Sequence, residues 1–400
     1  MGSTVSDSEP APQAILRGHT SPVTALCLLG HSERALKSAK PRSGVWEDAP
    51  TINWPRIVVS GDSRGNLLVW DLDLEQVIAN QKQSAEAPLL SIEAATDEPN
   101  LLITHSRDGC VRVIQMDQLS SSVADMRHAA GEMLEPFPMS RGRVLFRGEP
   151  HGFCRPGIIE FAASDRILIA TSGGKNHESI YLWDARVSSE KPVGKLCREG
   201  TLEARRSSST TAGGDGISAL CLCMKALPAE RTLLAGYEDN HMCAWDYRGR
   251  SDLPVAEVPV FRHAQPLLAL DSIRPLAVDG SERFYTLATS GFHGQVAMMR
   301  YAPATACFET TAQLTVANAA ISELAYRPSD TRILVGGCSD HGVRVLSAKS
   351  PYRKLALLRK HRGAVRCLRF ADFGSVFATG ADDSAIAIWT IYDTSFISNA

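Results

Sequence analysis

Residues 364–391 read AVRCLRF (364–370), SVFATGADDS (375–384) and AIAIWTI (385–391), and the grammar of this triplet decides the fold. The first and third runs are short and rich in β-branched or aromatic residues, as strands between packed layers are. Gly380 to Ser384 supply turn chemistry between the second and third runs, so the unit reads as three strands joined by tight turns. The third run recurs with Trp in GNLLVWDL (65–72), ESIYLWDA (178–185) and HMCAWDY (241–247). Three further copies replace the Trp: GCVRVIQM with Ile114, GQVAMMRY with Met299 and HGVRVLSA with Leu346. That makes seven units. The spacing is 44 residues from Trp70 to Ile114 and 43 from Leu346 to Trp389, a period that belongs to stacked or radial repeats.

The two ends predict closure of a ring. The seventh unit has no fourth strand before Ala400, and QAILRGH (13–19) stands as an orphan strand ahead of the first triplet. Pairing the N-terminal strand into the last sheet accounts for both and removes an exposed edge. The expected architecture is all-β, a single seven-bladed propeller over 13–400 behind a disordered N-terminus (1–12). Its blades fall at about 16–87, 88–154, 155–214, 215–262, 263–317, 318–360 and 361–392, the last completed by 13–19. Insertions lie at 30–55, 117–142 and 199–215.

Composition narrows the function. The chain is 44% hydrophobic and 22% charged, with a formal net charge of −2, so there is no bulk attraction to nucleic acid or an anionic membrane. No apolar run approaches the roughly 20 residues that span a bilayer, and the polar N-terminus has no apolar leader-like stretch. Ten cysteines are scattered without C-x-x-C pairs, mostly in strand-like runs, which suits a reducing compartment. No H-E-x-x-H, P-loop or G-x-S-x-G motif occurs, so no catalytic, cofactor or metal site is expected.

GHTSPVTAL (from Gly18), VVSGDSRGNLLVWDL (from Val58) and FATGADDSAIAIW (from Phe377) resemble WD40 repeats. That resemblance implies a buried hydrogen-bonded tetrad of His, Ser/Thr, Asp and Trp, which falls here on His361, Thr379, Asp383 and Trp389. Asp108, Asp239 and Asp340 match its turn position, whereas Arg64, His177 and His293 replace the acid, and those three turns are expected to be less rigid or remodelled. His19, His263 and His361 recur at matching positions, which favours architecture over metal ligation. In WD propellers the tetrad marks one face, and the loops after the first and third strands emerge on the other. Insertions 30–55 and 117–142 are therefore expected to project together from adjacent blades. They carry Trp46 and Trp54, and Met126, Met133, Leu134, Phe137 and Met139, residue types enriched in interface cores. Between Arg353 and Arg369 stand seven cations and no acid, among them Arg359, Lys360 and Arg362, expected to form a basic rim on blades six and seven for an acidic partner. The 199–215 insertion is polar, and Arg205 and Arg206 precede a Ser/Thr run that suits a basophilic kinase.

PAPQAILRGHTSPVTAL, RIVVSGDSRGNLLVWDL and ATGADDSAIAIWTIY are similar to the fungal ASTRA-associated WD-repeat proteins and their animal relatives, G-protein β-subunit-like WD proteins. That similarity implies a scaffold subunit of the ASTRA assembly, monomeric within a hetero-complex and resident in the nucleus, with cytoplasm second. It implies HEAT-repeat cochaperone subunits, AAA+ helicases and a PI3-kinase-related kinase as partners, and roles in chromatin regulation and kinase maturation. Two rivals stand beside it. Trp183-Asp184-Ala185-Arg186 and Trp245-Asp246-Tyr247-Arg248 match the W-D-x-R motif of cullin-ligase substrate receptors. A true G-protein β subunit is the other, opposed by the lack of N-terminal heptads.

Overall fold

Alternation of apolar and polar residues in short runs, cut by turn residues, makes the regular structure of the described residues almost wholly β-strand. The computed structural model describes residues 11–29, 57–98, 100–116, 137–139, 142–149, 152–164, 166–173, 179–188, 190–198, 220–249, 251–273, 284–371 and 376–391. Strand β1 (Ala14–Arg17) precedes blade 1, which holds β2 (Val23–Leu29), β3 (Ile57–Asp62), β4 (Asn66–Asp71) and β5 (Gln76–Lys82). Blade 2 holds β6 (Leu89–Ala94), β7 (Leu101–Ser106), β8 (Cys110–Gln115) and β10 (Arg143–Arg147), with β9 (Phe137–Pro138) between the last two in sequence. Blade 3 is β11 (Gly157–Ala163), β12 (Arg166–Gly173), β13 (Ser179–Asp184) and β14 (Gly194–Leu196). Blade 4 is β15 (Cys221–Leu227), β16 (Thr232–Tyr237), β17 (His241–Asp246) and β18 (Ala256–Pro259). Blade 5 follows as β19 (Leu267–Ile273), β20 (Tyr285–Gly291), β21 (Gln295–Ala302) and β22 (Cys307–Thr315). Blade 6 is β23 (Ile321–Tyr326), β24 (Ile333–Cys338), β25 (Gly342–Ser347) and β26 (Lys354–Arg359). Blade 7 is β27 (Val365–Phe370), β28 (Val376–Ala381), β29 (Ala385–Thr390) and the incoming β1.

The ring closes through β1, antiparallel to β29 with Ala14 opposite Ile388 and Arg17 opposite Ala385. Within each blade the sheet is antiparallel, and the core lies between blades. Val365 and Leu368 of β27, for example, pack with Val335, Val343 and Val345 of blade 6. The turns between second and third strands share one device. Gly65, Gly109, Asn240, Gly294, His341 and Ser384 all take a positive φ there, the left-handed residue that lets a short hairpin loop return without splaying its strands. Adjacent inner strands pack directly around the central channel, with the junction of β6 and β11 the weakest of the seven.

Candidate functional site

In blade 7 the turn before β27 delivers His361 against Asp383, Nδ1 lying 3.2 Å from both carboxylate oxygens. His361 Nε2 lies 2.8 Å from Thr379 Oγ1, which also accepts the Trp389 indole N–H at 2.9 Å. The Thr379 hydroxyl therefore keeps its own proton for Nε2, and Nδ1–H faces the carboxylate. Burial pulls the His361 pKa down, and the attraction of Asp383 only partly offsets it, so the imidazole is neutral. Burial acts to raise the Asp383 pKa, but the Arg362 N–H and His361 hold it below its ordinary value.

Blade 1 holds the same four groups, which the sequence pattern obscured. His19 Nε2 lies 2.7 Å from Ser60 Oγ, and Trp70 Nε1 donates to the same hydroxyl at 2.7 Å. The acid is Asp62, 3.2 Å from His19 Nδ1, in place of the turn position that Arg64 occupies. Asp62 also accepts the backbone N–H of Arg64 and of Asn66 at 2.9 Å each. The expectation of a loosened turn at Arg64 is thereby corrected: a carboxylate two residues earlier reaches the same imidazole. Thr379 and Ser60 are fully buried, so neither hydroxyl is open to a substrate.

Blades 2, 4 and 6 keep the acid and change the rest. Arg112 of β8 donates to Ser106 Oγ at 2.7 Å and to Asp108 at 3.0 Å, and Arg344 of β25 pairs with Asp340 in the same i, i+4 relation. In blade 4 Ala235 stands where Thr379 and Ser60 stand in their blades. The buried Trp245 Nε1 has no hydrogen-bond partner among the described residues. There Arg198, wholly buried, pairs with Asp239 at 3.1 Å and with Glu257, its guanidinium 4.3 Å over the Tyr237 ring. In blade 5 His263 is exposed rather than seated, because Gln265 occupies the interior and its Oε1 accepts the His293 N–H at 3.0 Å. Trp183 of blade 3 donates to Thr171 Oγ1 at 2.9 Å, while His177 lies outside the described residues. The i, i+4 spacing of Asp108/Arg112 and Asp340/Arg344 was a signal available in the sequence; Arg198 and Gln265 left none.

The basic run does not form one stripe. Arg359, Lys360 and Arg362 are exposed and their side chains make no ion pair among the described residues. Arg366, by contrast, grips Asp382 through Nε and Nη2 at 2.8 and 2.6 Å. Arg369 points across the channel to Glu93 of blade 2 at 2.6 Å and to Glu323 of blade 6 at 3.5 Å. Arg155 of blade 3 meets Glu323 as well, and Lys225 meets Asp271 at 2.7 Å. Burial pushes the Glu323 carboxyl up despite Arg155 and Arg369. These charges belt a channel of about 600 Å³. Strand-like segments with inward side chains at the ring axis divided the run, which periodicity in one blade does not reveal.

The described end of the second insertion departs from the expected path, and residues 117–136 lie outside the described residues. Its end, Phe137–Pro138, runs parallel to the outer strand β5 as a fifth strand of blade 1, and the Met139 N–H donates to Asn80 O at 3.1 Å. This segment follows the outer edge of its neighbour instead of projecting from a face, because β5 offers open backbone groups there. Trp46, Trp54 and Met133 lie outside the described residues, as does the 199–215 insertion. Of the W-D-x-R arginines, Arg186 is bound back to Asp184 through two 2.9 Å contacts and to Glu160 at 3.2 Å. Among the described residues no cluster suits a metal ion, and no helix is long and apolar enough to cross a membrane.

Seven sheets closed by the N-terminal strand form a seven-bladed β-propeller, and the His–Ser/Thr–Asp–Trp tetrads at the closure resemble those of WD-repeat propellers. The family model "WD domain, G-beta repeat" matches residues 352–390. The chain is similar to guanine nucleotide-binding protein subunit beta-like protein 1 of Mus musculus, 23% identical over 385 residues, covering 96% of this chain and 97% of the relative. It is also similar to ASTRA-associated protein 1 of Verticillium alfalfae, 24% identical over 372 residues, covering 91% of this chain and 79% of the relative. The fold and the names of these relatives fit a non-enzymatic role.

Proposed function

We propose that this chain is a non-catalytic scaffold subunit of the ASTRA assembly. It acts there in chromatin regulation and in maturation of PI3-kinase-related kinases through a HEAT-repeat cochaperone, within the nucleus. The observation that carries this reading is the similarity to ASTRA-associated protein 1 across 91% of the chain. The physical case for a platform is independent of the name. A closed ring is rigid, so docking orders little backbone on its side, and specificity comes from the loops that the strands hold in place. Arg359, Lys360 and Arg362, exposed and without an ion pair among the described residues, supply positive charge for an acidic partner segment. Trp46, Trp54, Met133 and Phe137 are the apolar contacts of a second surface.

Affinity purification of the tagged full chain from its native host, with mass spectrometry of the eluate, tests the assignment. Recovery of HEAT-repeat cochaperone subunits, AAA+ helicases and a PI3-kinase-related kinase is the expected result. A cullin with its adaptor in their place would overturn it and turn attention to Arg186 and Arg248. Trp46→Ala with Trp54→Ala should lose part of the recovered set while the protein stays folded.

A further inference from the structure

One junction of the ring is built differently from the others. The residue after the tetrad hydroxyl position is small in six blades: Gly61, Ser172, Gly236, Ser290, Gly337 and Gly380. The reason is contact with the next blade. A Cβ at Gly61 would stand 2.6 Å from Leu89, and one at Gly380 would stand 2.6 Å from Val23, each the first residue of the following inner strand. In blade 2 this position is His105, itself buried. A full imidazole thus stands where the other blades carry a hydrogen or a hydroxymethyl group. Val23, Leu89, Cys221, Leu267, Ile321 and Val365 lead the other six inner strands and are all buried. In blade 3 the inner strand starts only at Gly157, residues 152–156 are irregular, and β6 and β11 make the weakest inner junction. Phe153 is left 61% exposed at the channel opening.

Beside it stands an unused cation. The Arg107 guanidinium lies 4.0 Å from the Phe153 ring centroid, and among the described residues it makes no ion pair and its buried Nε has no hydrogen-bond partner. A guanidinium stacked on an aromatic face keeps its N–H edges free for in-plane acceptors, the geometry a carboxylate matches with two parallel bonds. Leu90, Leu222 and Leu268 line the same opening above the charged belt.

We infer that the channel mouth between blades 2 and 3 docks a partner segment bearing a carboxylate beside an apolar side chain. The apolar group seats against Phe153 and the leucines, and the carboxylate takes the Arg107 fork. This rests on the platform reading and is independent of which assembly the chain joins.

The test uses phage-displayed random dodecapeptides panned on the immobilised full chain. Enriched peptides are expected to share an apolar residue within about two positions of Asp or Glu. Their binding should weaken at least tenfold in Phe153→Ala and in Arg107→Glu, with less loss in Arg107→Lys, which keeps charge without the fork. Phe153 is exposed, so Phe153→Ala keeps the wild-type thermal midpoint and remains interpretable if the Arg107 variants do not fold. Absence of enrichment, a motif without an acid, or equal binding to Phe153→Ala overturns the site. If Phe153→Ala still recovers the full set of native subunits, the site fails while the platform reading stands.

Discussion

Blades 7 and 1 flank the seam where β1 closes the ring, and both hold the same four hydrogen-bonded side chains. Blades 2, 4 and 6 lie away from it, and each meets its turn aspartate with an arginine. The difference follows from chain connectivity. In blades 2 to 6 the paired strands come from one continuous stretch of chain, so a blade tolerates a looser turn. At the seam β1 is held only by pairing with β29 and by the packing behind it, where Leu16 and Trp70 belong to one core with Ile386 and Ile388. A buried tetrad built on a neutral imidazole is little screened by salt, whereas an ion pair near the surface is.

Deleting the indole at the seam is the severest challenge to this view. Trp389 is buried, stacked on Phe377 and donating to Thr379. Trp389→Ala should cost about 3–5 kcal/mol, read by urea unfolding, with faster proteolysis of the freed β1. A loss under about 2 kcal/mol would mean the seam does not depend on the tetrad. Next in size is Asp239→Ala. It leaves Arg198 wholly buried with half its counter-charge gone, and the expected loss is about 3 kcal/mol. Asp383→Ala removes hydrogen bonds to a neutral imidazole and two backbone N–H groups, and should cost about 1–2 kcal/mol. The aspartate of the degenerate blade is thus the more sensitive one; the reverse order would sink the distinction between turns that hold a buried arginine and turns that hold a neutral imidazole.

Acid provides a graded test. Burial lowers the His105 pKa to about 4, and it lowers that of His361 as well. An unfolded histidine takes its proton near 6.5. Between pH 6.5 and about 4 the unfolded chain therefore binds more protons, and stability falls as pH falls. His105 alone should account for roughly 2–3 kcal/mol between pH 7 and 4. His105→Gly, which installs the residue found in four of the other six blades, should flatten that slope in pH-dependent denaturant melts. An unchanged slope would show that His105 is protonated in the folded ring.

Much of the architecture was legible because the third strand of every unit repeats one apolar frame, with Trp70, Ile114, Trp183, Trp245, Met299, Leu346 and Trp389 at one position. That position pairs with the second strand, as Phe377 with Trp389 and Val58 with Trp70, so packing preserves it even when the indole is lost. Asp62 was not legible as the blade 1 acid, because a carboxylate can reach the same imidazole from two residues earlier. Arg198 stands just past β14, ahead of a long insertion, where no repeat position predicts a partner. Strand β9 is two residues long and contains Pro138, which carries no strand signal. His105 breaks a small-residue pattern visible only once the neighbouring inner strand is placed against it.

The smallest effect is the most discriminating for the arginine devices. Arg344 and Asp340 of blade 6 form the same kind of pair as Arg198 and Asp239, yet the Asp340 side chain is 38% exposed. Solvent screens it, so a double-mutant cycle of Arg344→Met and Asp340→Ala should give a coupling below about 1 kcal/mol. Burial, not the identity of the pair, then sets the sensitivity of each blade. A coupling above about 2 kcal/mol would show that blade 6 relies on its arginine as heavily as blade 4 does, and the contrast between seam and middle would have to be redrawn around charge alone.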